Sequence, residues 1–256
     1  KTWQRVAIAS RLKIEYPYSS FPENPYAIAY EFLNRSNRNG ITGNVQATYN
    51  FSKNLSLMVR SSLDWSEEHR AQKRPYDAGS RLVKGSLRTQ DIRGQEATTD
   101  FLLRYDKTIN SDWAMSLTAG GSTLTNTYRR HELRADSLKV PGGYYFENAA
   151  GEVLEIPWRS KYVINSFYGV LNASYKDYLF FDLSGRQDWN SVLASPFRST
   201  GSGFFYPALN TSYVISQAYK LPQVIDFAKV RLSLSSVGSG STTPYRTSYN
   251  YEIASA

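Results

Sequence analysis

Residues Gly40–Trp65, GITGNVQATYNFSKNLSLMVRSSLDW, alternate almost without fault between two kinds of side chain. Ile41, Gly43, Val45, Ala47 and Tyr49 are apolar or small, while Thr42, Asn44, Gln46 and Thr48 between them are polar. After the interruption Asn50–Asn54 the pattern resumes with Leu55, Leu57, Val59 and Leu63. Successive side chains of a strand point to opposite faces, so a period of two describes an antiparallel hairpin with one apolar face. That face needs a cover, either a packed core or an apolar solvent.

The same alternation recurs along the chain, and the strands expected are 41–49, 55–65, 97–105, 112–122, 162–175, 178–189, 203–216 and 227–237. All are long beside ordinary strands of about 5–6 residues. Four connections are short: 50–54, 106–111, 176–177 and 217–226, the last containing KLPQVID, where a helical turn is expected. Three are long, 66–96, 123–161 and 190–202. Consecutive connections of an up-and-down sheet fall at opposite ends, so every short turn lies on one side and every long loop on the other. Soluble sandwiches seldom carry loops of about 30–40 residues on one rim only, whereas outer-membrane barrels do. Aromatic residues form two bands: Tyr49, Phe51, Tyr105, Trp113, Tyr175, Tyr178, Tyr213 and Phe227 near the short turns, and Trp65, Trp189, Phe204, Phe205 and Tyr206 near the long loops. Such girdles anchor barrels at both interfaces. The fold class expected is all-β: an antiparallel transmembrane β-barrel segment of about eight long strands, residues 1–256 forming part of one barrel domain.

The other face of the strands mixes short polar groups with charges of both signs, as a wet lumen allows. Its candidate lumen-lining residues are Asn44, Gln46, Arg60, Asp100, Arg104, Asp182, Arg186, Asp188, Lys229 and Arg231. In the long loops Tyr76, Tyr144, Tyr145 and Trp158 could stack on a sugar face, although aromatics in such loops more often anchor the loop itself.

Much other chemistry is missing. With no cysteine there are no disulfides or thiolate metal sites. The net charge of +8 is scattered, and HRAQKR (69–74) and YRRHELR (128–134) each lie beside glutamate, so no nucleic-acid role is expected. The two histidines, His69 and His131, fall in the expected long loops, far apart in sequence, and suggest neither a catalytic base nor a metal site. No carboxylate spacing argues for glycoside hydrolysis, and Gly120-Gly121, Pro141-Gly142-Gly143 and Gly238-Ser239-Gly240 read as turns or strand ends rather than phosphate cradles. No enzyme activity and no cofactor are expected. No run of about 18 apolar residues marks a membrane helix, which leaves barrel strands untouched. The opening KTWQRVAIASRLK lacks a hydrophobic run and cleavage site, so the chain is expected to begin after processing or partway through a larger protein.

The stretch 185–238 is more specific. GRQDWNSVLASPFRS, then GFFYPALNTSYVIS, then LPQVIDFAKVRLSLSSVGSG resembles the barrel of the SusC/RagA family of TonB-dependent outer-membrane transporters of Bacteroidetes. The resemblance rests on Gly185, Arg186, Asp188 and Trp189; on Phe205, Tyr206 and Pro207; and on Lys229, Val230, Arg231, Val237 and Gly238. Ser239 stands where the family usually has Asn, and GNVQATYNFSKNLSL is similar to the family's Gly-Asn-Val hairpins. The resemblance implies a barrel of about 22 strands with an internal plug, a SusD-like lipoprotein lid, and import of glycans or peptides driven through the TonB complex. No plug, TonB box or closing aromatic strand is read in these residues; the chain ends YEIASA. Two other readings stay open: an outer-membrane barrel enzyme or small closed porin-like barrel, and a soluble all-β carbohydrate-binding module.

Overall fold

Eight strands build a single antiparallel sheet in the computed structural model, which describes residues 29–76, 84–195, 202–238 and 243–247. They are β1 (Leu33–Asn50), β2 (Leu55–Arg74), β3 (Ser86–Thr108), β4 (Trp113–Ala135), β5 (Leu154–Tyr175), β6 (Leu179–Asn190), β7 (Gly203–Val214) and β8 (Lys229–Ser235). Each pairs with its sequence neighbours in the order β1 to β8, and β1 and β8 have one neighbour each, so the sheet is open. The opening KTWQRVAIASRLK, the ending YEIASA, and Ser239 and Gly240 lie outside the described residues.

Turn chemistry explains the short connections. Lys176 and Asp177 both have positive φ, 47° and 56°, the backbone of a two-residue hairpin whose twist matches the flanking strands. Asn110 accepts through Oδ1 from the amides of Asp112 and Trp113, both at 2.9 Å, and closes the β3–β4 turn. In 217–226 the helical turn falls earlier than expected: a four-residue helix α1 (Ile215–Ala218) follows β7, and KLPQVID keeps only a turn closed by the Ile225 amide on Pro222 O at 2.9 Å.

The chain divides into two compact units. One comprises 42–64, 96–126 and 161–256. Its strands carry the alternation, and the register keeps it in step: Leu183 lies opposite Leu209, and Leu209 opposite Leu234. Val45, Val59, Phe101, Leu117, Phe167, Leu183, Phe205, Leu209 and Leu234 share this apolar face and are all exposed, Val45 at 77% and Phe205 at 62%. Consecutive glycines sit under aromatic rings on opposite faces. A Cβ on Gly120 would come within 2.6 Å of the Tyr168 ring, and one on Gly121 within 2.7 Å of Phe101. Rings then meet edge to face along the apolar face, Phe101 with Phe167 and Phe167 with Trp189, at 6.4 and 6.1 Å. Near the short turns Trp113, Tyr175, Tyr178 and Tyr213 form a continuous chain of rings, tilted at Trp113–Tyr175 and edge-to-face at the two tyrosine pairs. In the other band, Phe205 belongs to the apolar face, but Phe204 and Tyr206 stack on each other at 6.4 Å on the polar face. A strand cannot point three consecutive rings the same way.

The other unit comprises 1–41, 65–95 and 127–160. Here β2 to β5 continue well past the alternating stretches, through residues read from sequence as loop. Glu67–Arg74, Ser86–Gln95 and Thr127–Ala135 are strand with both faces polar. Between β4 and β5 the segment 136–153 is folded on itself. Leu138 bridges Ala149, and a 3-10 turn runs over Phe146–Asn148. The Asn148 side chain holds Val140 N, Val140 O and Gly143 O at 3.0, 2.8 and 2.7 Å.

Candidate functional site

Period-two geometry gathers the charged side chains of the first unit on the face opposite its apolar residues. Arg60 on β2 makes a forked ion pair with Asp100 on β3, Nε to Oδ1 at 3.0 Å and Nη2 to Oδ2 at 3.1 Å. Asp100 is buried while Arg60 stays half exposed, so the carboxylate is held and the guanidinium remains accessible. Two other pairs form along single strands rather than across them. Arg104 Nε donates to both oxygens of Asp106 (3.0 and 2.9 Å), and Arg186 Nε donates to Asp188 Oδ1 (2.7 Å). Arg186 also donates to Ser166 Oγ at 2.9 Å and sits over the Tyr168 ring. Asp182 accepts from Asn172 Nδ2 at 2.6 Å. Lys229 lies over the Phe180 ring at 5.5 Å, and Arg231 faces Ser212. Asn44 and Gln46 stand exposed on β1.

The same device recurs in the second unit, whose members the sequence reading does not name as site residues, placing Arg70, Arg130, Glu132 and Arg134 in loops. Glu132, almost fully buried, accepts from Arg88 Nη2 and Gln90 Nε2, both at 2.8 Å, and Arg130 lies nearby at 3.7 Å. The Arg88 hydrogen bond holds its carboxyl below the ordinary glutamate range against the opposing effect of burial. Glu68 accepts from Arg70 (2.7 and 2.8 Å) and from Ser36 (2.5 Å), and its pKa falls to about 2, with Arg70 the larger cause. Arg134 pairs with Asp136 at 3.1 Å. The signal was in the sequence: Arg104-x-Asp106, Arg130-x-Glu132, Arg134-x-Asp136, Arg186-x-Asp188 and Glu68-x-Arg70 all have the two-residue spacing that shares a strand face.

Both histidines depart from the loop reading. His69 is on β2 and His131 on β4, each against a carboxylate: Asp91 at 2.6 Å and Glu155 at 2.7 Å. Among the described residues no group of three or more His, Asp or Glu is placed to hold a metal. No helix among them is long and apolar enough to cross a membrane, which says nothing of barrel strands.

Of the loop aromatics, Tyr76 donates its hydroxyl to Leu138 O. Lys73 sits over the Tyr144 ring at 5.4 Å, and burial pushes the Tyr144 phenol up. Tyr145 and Trp158 are exposed, and Trp158 lies on β5 rather than in a loop.

No family model matches the chain, and no curated protein matches its sequence. Solved structures do share its fold. A chain of the RagAB peptide transporter aligns at TM-score 0.66 with 14% identity, over 86% of this chain and 25% of that one. The RagAB peptide importer in its closed-closed state aligns at 0.68 with 16% identity, over 82% and 23%. The same importer in its open-open state aligns at 0.70 with 15% identity, over 95% and 28%. This chain therefore spans about a quarter of the length of the chains it matches. The likeness is one of fold: a segment of an antiparallel barrel wall.

Proposed function

We propose that this chain forms part of the wall of an outer-membrane transport barrel of SusC/RagA type, in which its apolar face meets lipid and its charged face lines the path of the substrate. One observation carries the reading: large apolar side chains are exposed along one face of long strands whose other face is charged and internally paired. A soluble protein rarely leaves so much contiguous apolar surface uncovered. The dimensions agree, since Leu179 to Trp189 is ten steps of about 3.4 Å, and a tilt of about 40° brings the rise near the apolar height of about 25 Å found in barrels.

Asn44, Gln46, Arg60, Asp100, Arg104, Asp182, Arg186, Asp188, Lys229 and Arg231 are the lumen residues of this reading. Charges of both signs, most of them paired, would let a polar substrate slide without being trapped by one strong field. The fold likeness to a peptide importer favours peptides, with glycans the other class the resemblance implies. Exposed Tyr145 and Trp158 are the better candidates for substrate contact, because Tyr76 and Tyr144 are already engaged. A SusD-like lipoprotein as lid and energy from the TonB complex belong to the same proposal.

The test is uptake by cells carrying the full-length protein. Arg60→Ala with Arg186→Ala should change the rate of oligopeptide or oligosaccharide entry while leaving the amount of folded protein in the outer membrane unchanged. A protein recovered in the soluble fraction without detergent would overturn the barrel, and unaltered uptake of every substrate would overturn the lumen assignment.

A further inference from the structure

One side of the second unit holds more cationic donors than acceptors to receive them. Ser36 donates to Glu68 across β1 and β2 at 2.5 Å, Arg88 to Gln72 across β2 and β3 at 3.4 Å, and Gln90 to Glu132 across β3 and β4 at 2.8 Å. These bonds put the even-numbered side chains of all four strands on one side. Within the unit that side carries Arg38, Arg70, Arg74, Arg88, Arg130 and Arg134. Its carboxylates are Glu68 and Glu132, with Asp136 just past the end of β4. The even-numbered positions of β5 in the unit, Leu154, Ile156, Trp158 and Ser160, add no charge. Six arginines thus face three carboxylates, and the side is about three charges positive.

Those carboxylates are already engaged. Glu132 accepts from Arg88 and Gln90, and Glu68 from Ser36 and Arg70. Arg130 Nε stands 3.7 Å from Glu132 and Arg134 Nε 3.1 Å from Asp136, but neither contact has the geometry of a hydrogen bond. Both Nε atoms are buried without a partner, and neither guanidinium makes a hydrogen bond among the described residues. Unmet donors of this kind cost free energy, and a group that brings only acceptors relieves the shortage. The two side chains are 31% and 39% exposed, so a ligand can reach them from solvent.

Spacing narrows the choice of ligand. Arg70 and Arg74 share a side of β2, and Arg130 and Arg134 the same side of β4, each pair about 13–14 Å apart along its strand. The two pairs form rails about 10 Å apart, two strand spacings, with Arg88 on β3 between them. An extended peptide has the same rise per residue as a strand, so its alternate side chains keep step with the rails. We propose that this side of the unit binds the carboxylates of an extended acidic peptide, a site that rests on the transport reading above for its substrate class. Arginine forks suit carboxylates, and arginines on three adjoining strands can hold several of them in series.

Fluorescence polarisation with the full-length protein in detergent reads the site, using a labelled peptide with glutamate at every second position. Its glutamine counterpart is the neutral probe. Affinity for the acidic peptide should fall about fivefold in Arg134→Gln and about twentyfold with Arg130→Gln added, the range of partly exposed charge pairs. The neutral peptide should bind more weakly, and neither substitution should change it. Arg129→Gln with Arg159→Gln, odd-numbered positions on the other side of the same unit, removes the same charge and should leave both peptides as they were. Heat-modifiable gel mobility checks that each variant is folded; should the double variant fail that check, Arg134→Gln alone decides. Unchanged affinity for the acidic peptide, or an equal loss in the opposite-side control, would overturn the site. Displacement by millimolar acetate would reduce it to single anions, and equal affinity for oligogalacturonate would reassign it to an acidic glycan; either result overturns the peptide proposal. A protein that stays in solution without detergent yet keeps the arginine-dependent binding would overturn the barrel reading and leave the peptide site standing.

Discussion

Asn148 shows how much one side chain can hold. Three hydrogen bonds to Val140 and Gly143 close the 136–153 segment, and a Cβ on Gly143 would come within 2.7 Å of its Nδ2. Asn148→Ala should cost about 1–3 kcal/mol locally, seen as faster amide exchange across 136–153 with the barrel strands unaffected. Glu132 is a different case, a buried carboxylate shared by two strands. Glu132→Gln removes the charge that Arg88 faces. Because Arg88 is about a third exposed, the loss should be nearer 1–2 kcal/mol than the figure for a fully buried pair, measurable as a lower unfolding midpoint. Glu68 supplies a pH signature. Its folded pKa, about 2, lies below the ordinary value of 4.5, so its contribution is complete above pH 4.5 and disappears as pH falls towards 2. Glu132 shifts in the same direction. Thermal midpoints taken from pH 6 down to pH 2 should therefore fall, and fall less in Glu68→Gln, which has no proton to take up.

Among the elements, the halves of strands with one apolar face were legible and the halves with two polar faces were not. Val45, Leu57, Leu183 and Leu234 mark their strands by period two, because only one side of the sheet there avoids water. Glu67–Arg74, EEHRAQKR, has no such contrast and reads as solvated loop, although β2 runs straight through it. What holds it is the ladder itself and cross-strand bonds such as those of His69 with Asp91 and of Arg93 with Glu67, neither of which leaves a periodic trace. Arg60 and Asp100 were legible as members of one polar face, but their pairing across β2 and β3 was not. The same-strand partner Asp106 and the cross-strand partner Ser166 were missed, since nothing in alternation says which neighbour an arginine chooses. A test belongs at this scale: Val45→Arg or Leu57→Arg should impair membrane insertion, at about 2–4 kcal/mol for a charge facing lipid near the midplane. Thr42→Arg and Asn44→Arg, on the other face, should insert almost normally. Equal tolerance in an insertion assay would sink the assignment of faces. In the β5–β6 turn, replacing Lys176-Asp177 by Asn-Gly should stabilise the hairpin by up to about 1 kcal/mol, because positive φ is less strained there.

At the scale of the described sheet as a whole, stability is not stored in a core. Among the described residues the buried apolar side chains are Leu87, Ala135, Leu138, Ala149, Val192 and Val214, and none sits between the long strands as a packed layer would. Backbone ladders and the surrounding solvent must do what a core does elsewhere. That shift also gives the order of pairing a meaning in time. Every strand bonds the strands next to it in sequence, so no pairing waits for a distant part of the chain to arrive. Short loops close in well under a microsecond and hairpins in about 1–10 μs, and a wall whose strand pairings all join sequence neighbours can grow one strand at a time, like brickwork laid in the order the bricks are delivered. Each strand, once paired on one side, presents its other edge to the strand that follows it in the chain, so the growing wall always offers a template.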